Sequence, residues 1–274
     1  MRLVKLLLIS LLLLPLPATP VFADCEHGHP QVAILKSGYT RLWFIHGPAY
    51  HIGEPWGPVE FNKYWGGWDK FLNNMGIKHI IISDSDIERG ELSGIKVIIL
   101  PNVAAMSEKE VNNIRAFVRR GGSIIATFGT SWLDEHGKIW DGGKFALWQL
   151  WGIPVSNDFG MFAASIYIAR ESPVTADIDV GTEIIYGANA NILESKGSAR
   201  TIVSAYLVDK YGTVTEHAAI VEGKVGNGKV VYFSFSPEYA LPLPWADVDA
   251  IKLLMSNALT YCLGINFRRG PGGH

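Results

Sequence analysis

The stretch GIKVIILPNVAAMSEKEVNNIRAFVRRGGSIIAT, residues 94–127, constrains the fold of this chain more than any other. Lys96 to Leu100 is a short, β-branched run closed by Pro101, the pattern of a strand buried on both faces. Ser107 and Glu110 form a capping box, in which the hydroxyl accepts a backbone N–H and the Glu reaches back to the cap. Val111, Ile114, Phe117 and Val118 then fall on one helix face. Arg119 and Arg120 suit the negative end of the helix dipole, and Gly121-Gly122 supplies a left-handed exit into a second strand, Ser123 to Thr127. A β-α-β unit of this kind implies a right-handed crossover between parallel strands.

The flanking sequence extends the same alternation. Gln31 to Lys36 and His79 to Ile82 read as strands, Val59 to Met75 as a helix with an aromatic face, and Lys144 to Trp151 as another helix. Gly38 to Pro58 reads as a long aromatic loop at the carboxyl end of the first strand. Such a loop either lines a pocket or folds down as a satellite core. Asp84 and Asp86 are read as helix-cap residues, and Asp134-Glu135-His136-Gly137 as a hairpin tip. Beyond Gly152, runs at 161–169, 183–186, 201–208 and 216–222 read as antiparallel hairpins. Lys229 to Phe235 is a buried strand, and Ala246 to Leu263 a closing amphipathic helix.

Charge and the N-terminus bound the function. Arg2 and Lys5 precede the apolar run Leu6 to Leu14, and Val21-Phe22-Ala23 suits signal-peptidase cleavage. The expectation is a signal peptide at 1–23, a single α/β domain at 24–265 and a disordered tail at 266–274, with secretion the expected destination and an uncleaved N-terminal anchor the alternative. The apolar run is too short for a comfortable membrane span. Cleavage removes two cations and no acids, taking the formal charge from −2 to −4 and arguing against nucleic-acid or anionic-membrane partners. Export allows Cys25 and Cys262 to pair. Cys25, His27 and His29 read as a solvated terminus, so no metal or other cofactor is expected.

Segment 84–131 resembles the class I glutamine-amidotransferase-like fold. Within it, the segment is most similar to the non-catalytic domain that helps family-42-type β-galactosidases trimerise. The likeness rests on the acidic turn before Gly90-Glu91-Leu92, the strand ending Leu100-Pro101-Asn102, the Ser-x-x-Glu helix and Arg120-Gly121-Gly122. The ending GNGKVVYFSFSPEYA, with the helix after it, resembles how such domains close. The resemblance implies a doubly wound, mainly parallel sheet, flavodoxin-like or amidotransferase-like, carrying an antiparallel hairpin extension. It also implies a departure. Active amidotransferases carry a nucleophilic Cys just after the strand that ends here near Thr127, where this chain has Phe128-Gly129-Thr130-Ser131, so glutaminase chemistry has no thiolate. The glycosidase carboxylates of the β-galactosidases stand on a separate barrel and do not transfer.

Three functional expectations follow. The first is a secreted, non-catalytic domain that binds a carbohydrate or small polar ligand, or a partner, at the carboxyl edge of the sheet. Its candidate ligand-binding residues are His46, His51, Trp56, Asn102, Ser131, Trp132 and Glu238, all on connections leaving that edge. The second is a hydrolase using Glu54 or Glu238 as acid/base with Ser131 or an activated water. The third is a purely structural module that forms a homo-oligomer through an exposed apolar patch.

Overall fold

The structure, a computed structural model, describes residues 31–46, 58–193 and 201–265, with side chains at all of these except 58, 156–162 and 187–193. The expected leader, Cys25 just after it and with it any pairing to Cys262, the segment holding His51, Glu54 and Trp56, and the C-terminal tail lie outside the described residues.

The first half alternates strands and helices: β1 (Val32–Leu35), α1 (Gly38–His46), α2 (Pro58–Asn74), β2 (His79–Ile82), α3 (Asp84–Arg89), β3 (Val97–Leu100), β4 (Ala105–Met106), α4 (Glu108–Arg119), β5 (Ser123–Thr127), β6 (Leu133–Asp134) and α5 (Trp148–Trp151). The second half is β7 (Val155–Ile168), β8 (Glu183–Leu193), β9 (Thr201–Asp209), β10 (Val214–Val225), β11 (Gly228–Phe233), α6 (Pro237–Ala240) and α7 (Val248–Leu263). Nine strands form one sheet in the order β2-β1-β3-β5-β11-β10-β9-β7-β8, and β4 pairs separately with β6. The four ladders from β2 to β11 are parallel. The four from β11 to β8 are antiparallel. The hairpin extension is therefore as wide as the parallel part.

Strand alternation assigns each residue to one of two cores. Val32, Ile34, Val97, Ile99, Ile125 and Phe233 face Trp68 and Leu72 of α2 and Ile251, Leu254 and Leu259 of α7. Ala33, Leu35, Ile98, Leu100, Ile124 and Tyr232 face Ile87 of α3, Val111, Ile114 and Val118 of α4, and Trp151 of α5. Both faces being covered is why these strands are continuous apolar runs. Trp151 stacks on Tyr232 with centroids 4.3 Å apart.

The 94–127 unit forms as expected. Glu110 N–H donates to Ser107 Oγ at 3.2 Å, and Ser107 N–H donates back to Glu110 Oε2 at 2.8 Å. Two expectations are corrected. Residues 38–46 are helical rather than loop, because Ser37 Oγ accepts Thr40 N–H at 3.0 Å and Asp84 Oδ2 accepts Gly38 N–H at 2.5 Å, satisfying the helix's first donors. The helix expected over 144–151 is only its last turn. Ala146 N–H donates to Ser131 O and Leu147 N–H to Ser131 Oγ, so these donors are committed to the turn after β5.

Candidate functional site

The carboxyl ends of β1, β3, β5 and β11 converge on a polar floor. Asn102 N–H donates to Thr127 Oγ1 at 2.9 Å, and Gly129 N–H to Asn102 Oδ1 at 3.1 Å. The Thr127 hydroxyl donates to Glu238 Oε1 at 2.9 Å, and the Trp68 indole N–H to Glu238 Oε2 at 3.2 Å. Asn102, Phe128 and Ser131 adopt left-handed backbone, with φ of 44°, 46° and 65°. Each such residue costs about 1–2 kcal/mol in the absence of compensation. Bonds to the turn provide it: Phe128 O accepts the Tyr232 hydroxyl at 2.5 Å, and Ser131 N–H donates to Val103 O at 2.8 Å.

This floor is covered. Ser37 and Thr40 hydroxyls donate to Ala105 O at 3.4 and 3.3 Å, drawing α1 against β4. Trp43 and Phe44 then form a third core with Phe61, Tyr64 and Leu133. So the described part of the aromatic segment takes the satellite-core form. Asn102, Ser131 and Glu238 are buried, Trp132 is half-buried and edge-on to Trp43 at 5.3 Å, and His46 is exposed at the end of α1. The structure brings Asn102 and Glu238 into one network through Thr127. Ser131 belongs to the neighbouring turn, and His51 and Trp56 lie outside the described residues. Ser131 Oγ takes Leu147 N–H rather than an imidazole, and the hydroxyl and indole on Glu238 are neither acid nor base at ordinary pH.

Two carboxyl groups are displaced upward in pKa. Burial pushes Glu238 to about 8. Burial, then the Asp84 carboxylate beside it, pushes Glu110 to about 9. Glu110 Oε1 and Asp84 Oδ1 are both shielded from water without a hydrogen-bond partner, and the Asp84 carboxylate disfavours a second negative charge on Glu110. Glu88 Oε1 alongside accepts the Ser107 hydroxyl at 2.7 Å and the Tyr39 hydroxyl at 3.0 Å.

Open space lined by described residues lies beside the floor. A cleft of about 760 Å³ runs between the first half of α4 and residues 134–149, with Arg115, Trp140 and Trp148 on its walls. A smaller depression of about 440 Å³ adjoins it across Glu108 and Asn112. None of the residues nominated from sequence lines either one. Arg115 Nη2 donates to Ala146 O and, at 2.7 Å, to Gln149 Oε1, fixing the guanidinium. Arg115 Nε and Trp140 Nε1 are shielded from water with no partner, and such donors cost about 1–3 kcal/mol each.

Residues 63–254 match the model of the β-galactosidase trimerisation domain. The chain belongs to this family. The β-galactosidase BbgII of Bifidobacterium bifidum is 25% identical over 180 residues, 64% of this chain and 24% of that protein. The β-galactosidase of Bacillus circulans sp. alkalophilus superposes with a TM-score of 0.61 at 20% identity, over 85% of this chain and 31% of its own. The β-galactosidase of Halorubrum lacusprofundi gives 0.61 at 16% identity, over 85% and 30%. The chain thus spans less than a third of each of these relatives.

In this trimerisation-family domain the floor has a sharp steric signature. A Cβ on Gly67 would lie 2.9 Å from both Glu238 Cβ and Glu238 O, whereas one on adjacent Gly66 meets nothing within 4 Å. Gly66→Ala is expected to stabilise by about 0.5–1 kcal/mol, the ordinary helix-propensity gain. Gly67→Ala is expected to destabilise by about 1–3 kcal/mol. Thermal melts of the two variants check the pair, and equal effects would contradict the close approach of α2 to Glu238. Sequence reasoning placed Glu238 at the edge but missed Thr127 and Trp68 as its partners. It also missed the Arg115 cleft, whose only local signal is two tryptophans flanking Asp141-Gly142-Gly143.

Proposed function

We propose that this chain is an exported, non-catalytic assembly module with an amidotransferase-like core, in which the turn after β5 is retained and the nucleophile is not. The observation that carries this reading is the trimerisation-family match over residues 63–254. It is supported by the parallel order β2-β1-β3-β5-β11, by the left-handed Phe128 directly after β5, and by a polar floor whose groups bond to one another. Ile185 on the outer edge strand β8 and nearby Trp245 are the apolar groups proposed to contact a second copy. Asp247 ties residues 245–247 to that edge, donating its N–H to Ile185 O at 3.0 Å and accepting Ile185 N–H at 2.7 Å. Both side chains are exposed, 47% and 58%. Ile185→Asp combined with Trp245→Asp is expected to lower the mass seen by light scattering to that of a single chain without lowering the melting temperature. An unchanged oligomer would remove this edge from the reading. Export is tested by mass spectrometry of the secreted chain, which is expected to begin at Asp24. No helix among the described residues is long and apolar enough to cross a membrane.

A further inference from the structure

We propose that the cleft between α4 and residues 134–149 binds a neutral oligosaccharide. Its volume, about 760 Å³, falls in the range of about 300–1,000 Å³ typical of small-molecule sites. The charges on its walls decide the ligand class. Glu108, Asp134 and Asp141 are matched by Arg115, Lys138 and Lys144, so the lining carries no net charge. A strongly anionic or cationic ligand would meet as much repulsion as attraction there. A polyol meets donors and acceptors of both kinds, supplemented by Asn112 and Gln149, whose amides each offer both.

The apolar part of the lining fits the same chemistry. Trp140 and Trp148 are both partly exposed at the cleft and anchored on the core beneath. A pyranose turns polarised C–H bonds outward from its ring face, and these suit the negative face of an indole. Lys144 Nζ lies 5.1 Å from the Trp148 centroid, so that ring already holds a cation and keeps its place. Gln149 and the Ala146 carbonyl keep the Arg115 guanidinium from turning away. The cleft stands at the carboxyl side of the parallel strands, where open α/β sheets take ligands. The inference is independent of the assembly reading, because Ile185 and Trp245 are not among the lining residues.

The test is titration of the full chain with cellotriose, β-1,4-galactotriose and mannotriose, alongside trigalacturonate and the chitosan trimer as charged counterparts, followed by calorimetry. At least one neutral trisaccharide is expected to saturate. Trp148→Ala is expected to weaken it by about tenfold or more, as loss of a central aromatic contact does. Asp141→Ala combined with Gln149→Ala, both exposed side chains, is expected to weaken it with no change in melting temperature. The proposal is overturned if no neutral trisaccharide saturates, if a charged trimer binds more tightly than all neutral ones, or if the Asp141/Gln149 variant binds as the parent does.

Discussion

Gly228→Ala is expected to lower the melting temperature by at least about 10 °C, the equivalent of about 3 kcal/mol or more in a domain of this size. A Cβ at position 228 would lie 2.0 Å from Gly122 O, 2.3 Å from Val118 O and 3.0 Å from Val118 C. All three are backbone atoms, at the last turn of α4 and the reversal before β5, so no side-chain rotation relieves the overlap. Overpacking against side chains costs about 1–3 kcal/mol, and a rigid backbone on the opposing side takes the cost to the top of that range or above. The comparison variant is Gly76→Ala. Its Cβ meets nothing within 4 Å, and only its φ of 67° opposes the change. It is expected to lose about 1–2 kcal/mol, the left-handed penalty alone. A Gly228→Ala protein melting within a degree or two of its parent would mean that β11 does not enter the sheet against α4 as described.

Alkaline pH is expected to weaken the fold through Glu110. Its pKa is raised from an ordinary 4.5 to about 9 in the folded chain, so between these values the native state holds a proton that the unfolded state has released. Below about 4.5 both states are protonated and the contribution is complete. As pH rises through the window it is lost, at up to about 1.4 kcal/mol for each unit crossed. Glu238, raised to about 8, acts in the same direction. The two differ under substitution. Glu110 receives Ser107 N–H on one oxygen and faces Asp84 with the other, so a glutamine can accept on one side and donate on the other. Glu110→Gln is expected to raise the melting temperature by several degrees at pH 9 and to change it little at pH 5. Glu238 accepts on both oxygens, and Glu238→Gln turns an amide N–H₂ toward Thr127 or Trp68. It is expected to cost about 1–3 kcal/mol at every pH. Melting curves from pH 5 to 9 check this; a Glu110→Gln curve parallel to the parent's would rule out the raised Glu110 pKa.

The parts of the fold legible from sequence are those in which local chemistry and tertiary packing agree. The capping box at Ser107, the apolar stripe of α4 and the Gly121-Gly122 exit each specify the same helix that the sheet then buries. Likewise, the hairpin tip at 134–137 forms because Asp134 Oδ1 accepts the N–H of His136 and of Lys138, a bond pattern within reach of its own turn. Legibility fails where the partner is distant in the chain. The helix at 38–46 begins on a carboxylate 46 residues away, at Asp84, and glycine at its start gives no sign of that. The helix expected from Lys144 is cut short by Ser131, which captures two of its backbone donors from 15 and 16 residues upstream.

The candidate site divides the same way. Asn102, Ser131 and Glu238 could be placed at the carboxyl edge because each follows a strand. Their burial could not be decided, since the cover comes from Trp43 and Phe44 on a segment whose sequence fits a pocket wall as well as a satellite core. The Arg115 cleft draws its walls from α4 and from a connection after β5. Neither segment looks unusual alone, and only their packing brings Arg115, Trp140 and Trp148 to one cleft.

The role in assembly can be measured by sedimentation equilibrium of the purified chain from low to high micromolar concentration. A mass that is a multiple of the single chain, with a trimer the form indicated by the family, is the expected result. A single-chain mass at every concentration, 30.1 kDa or the lower value left by leader removal, would contradict it.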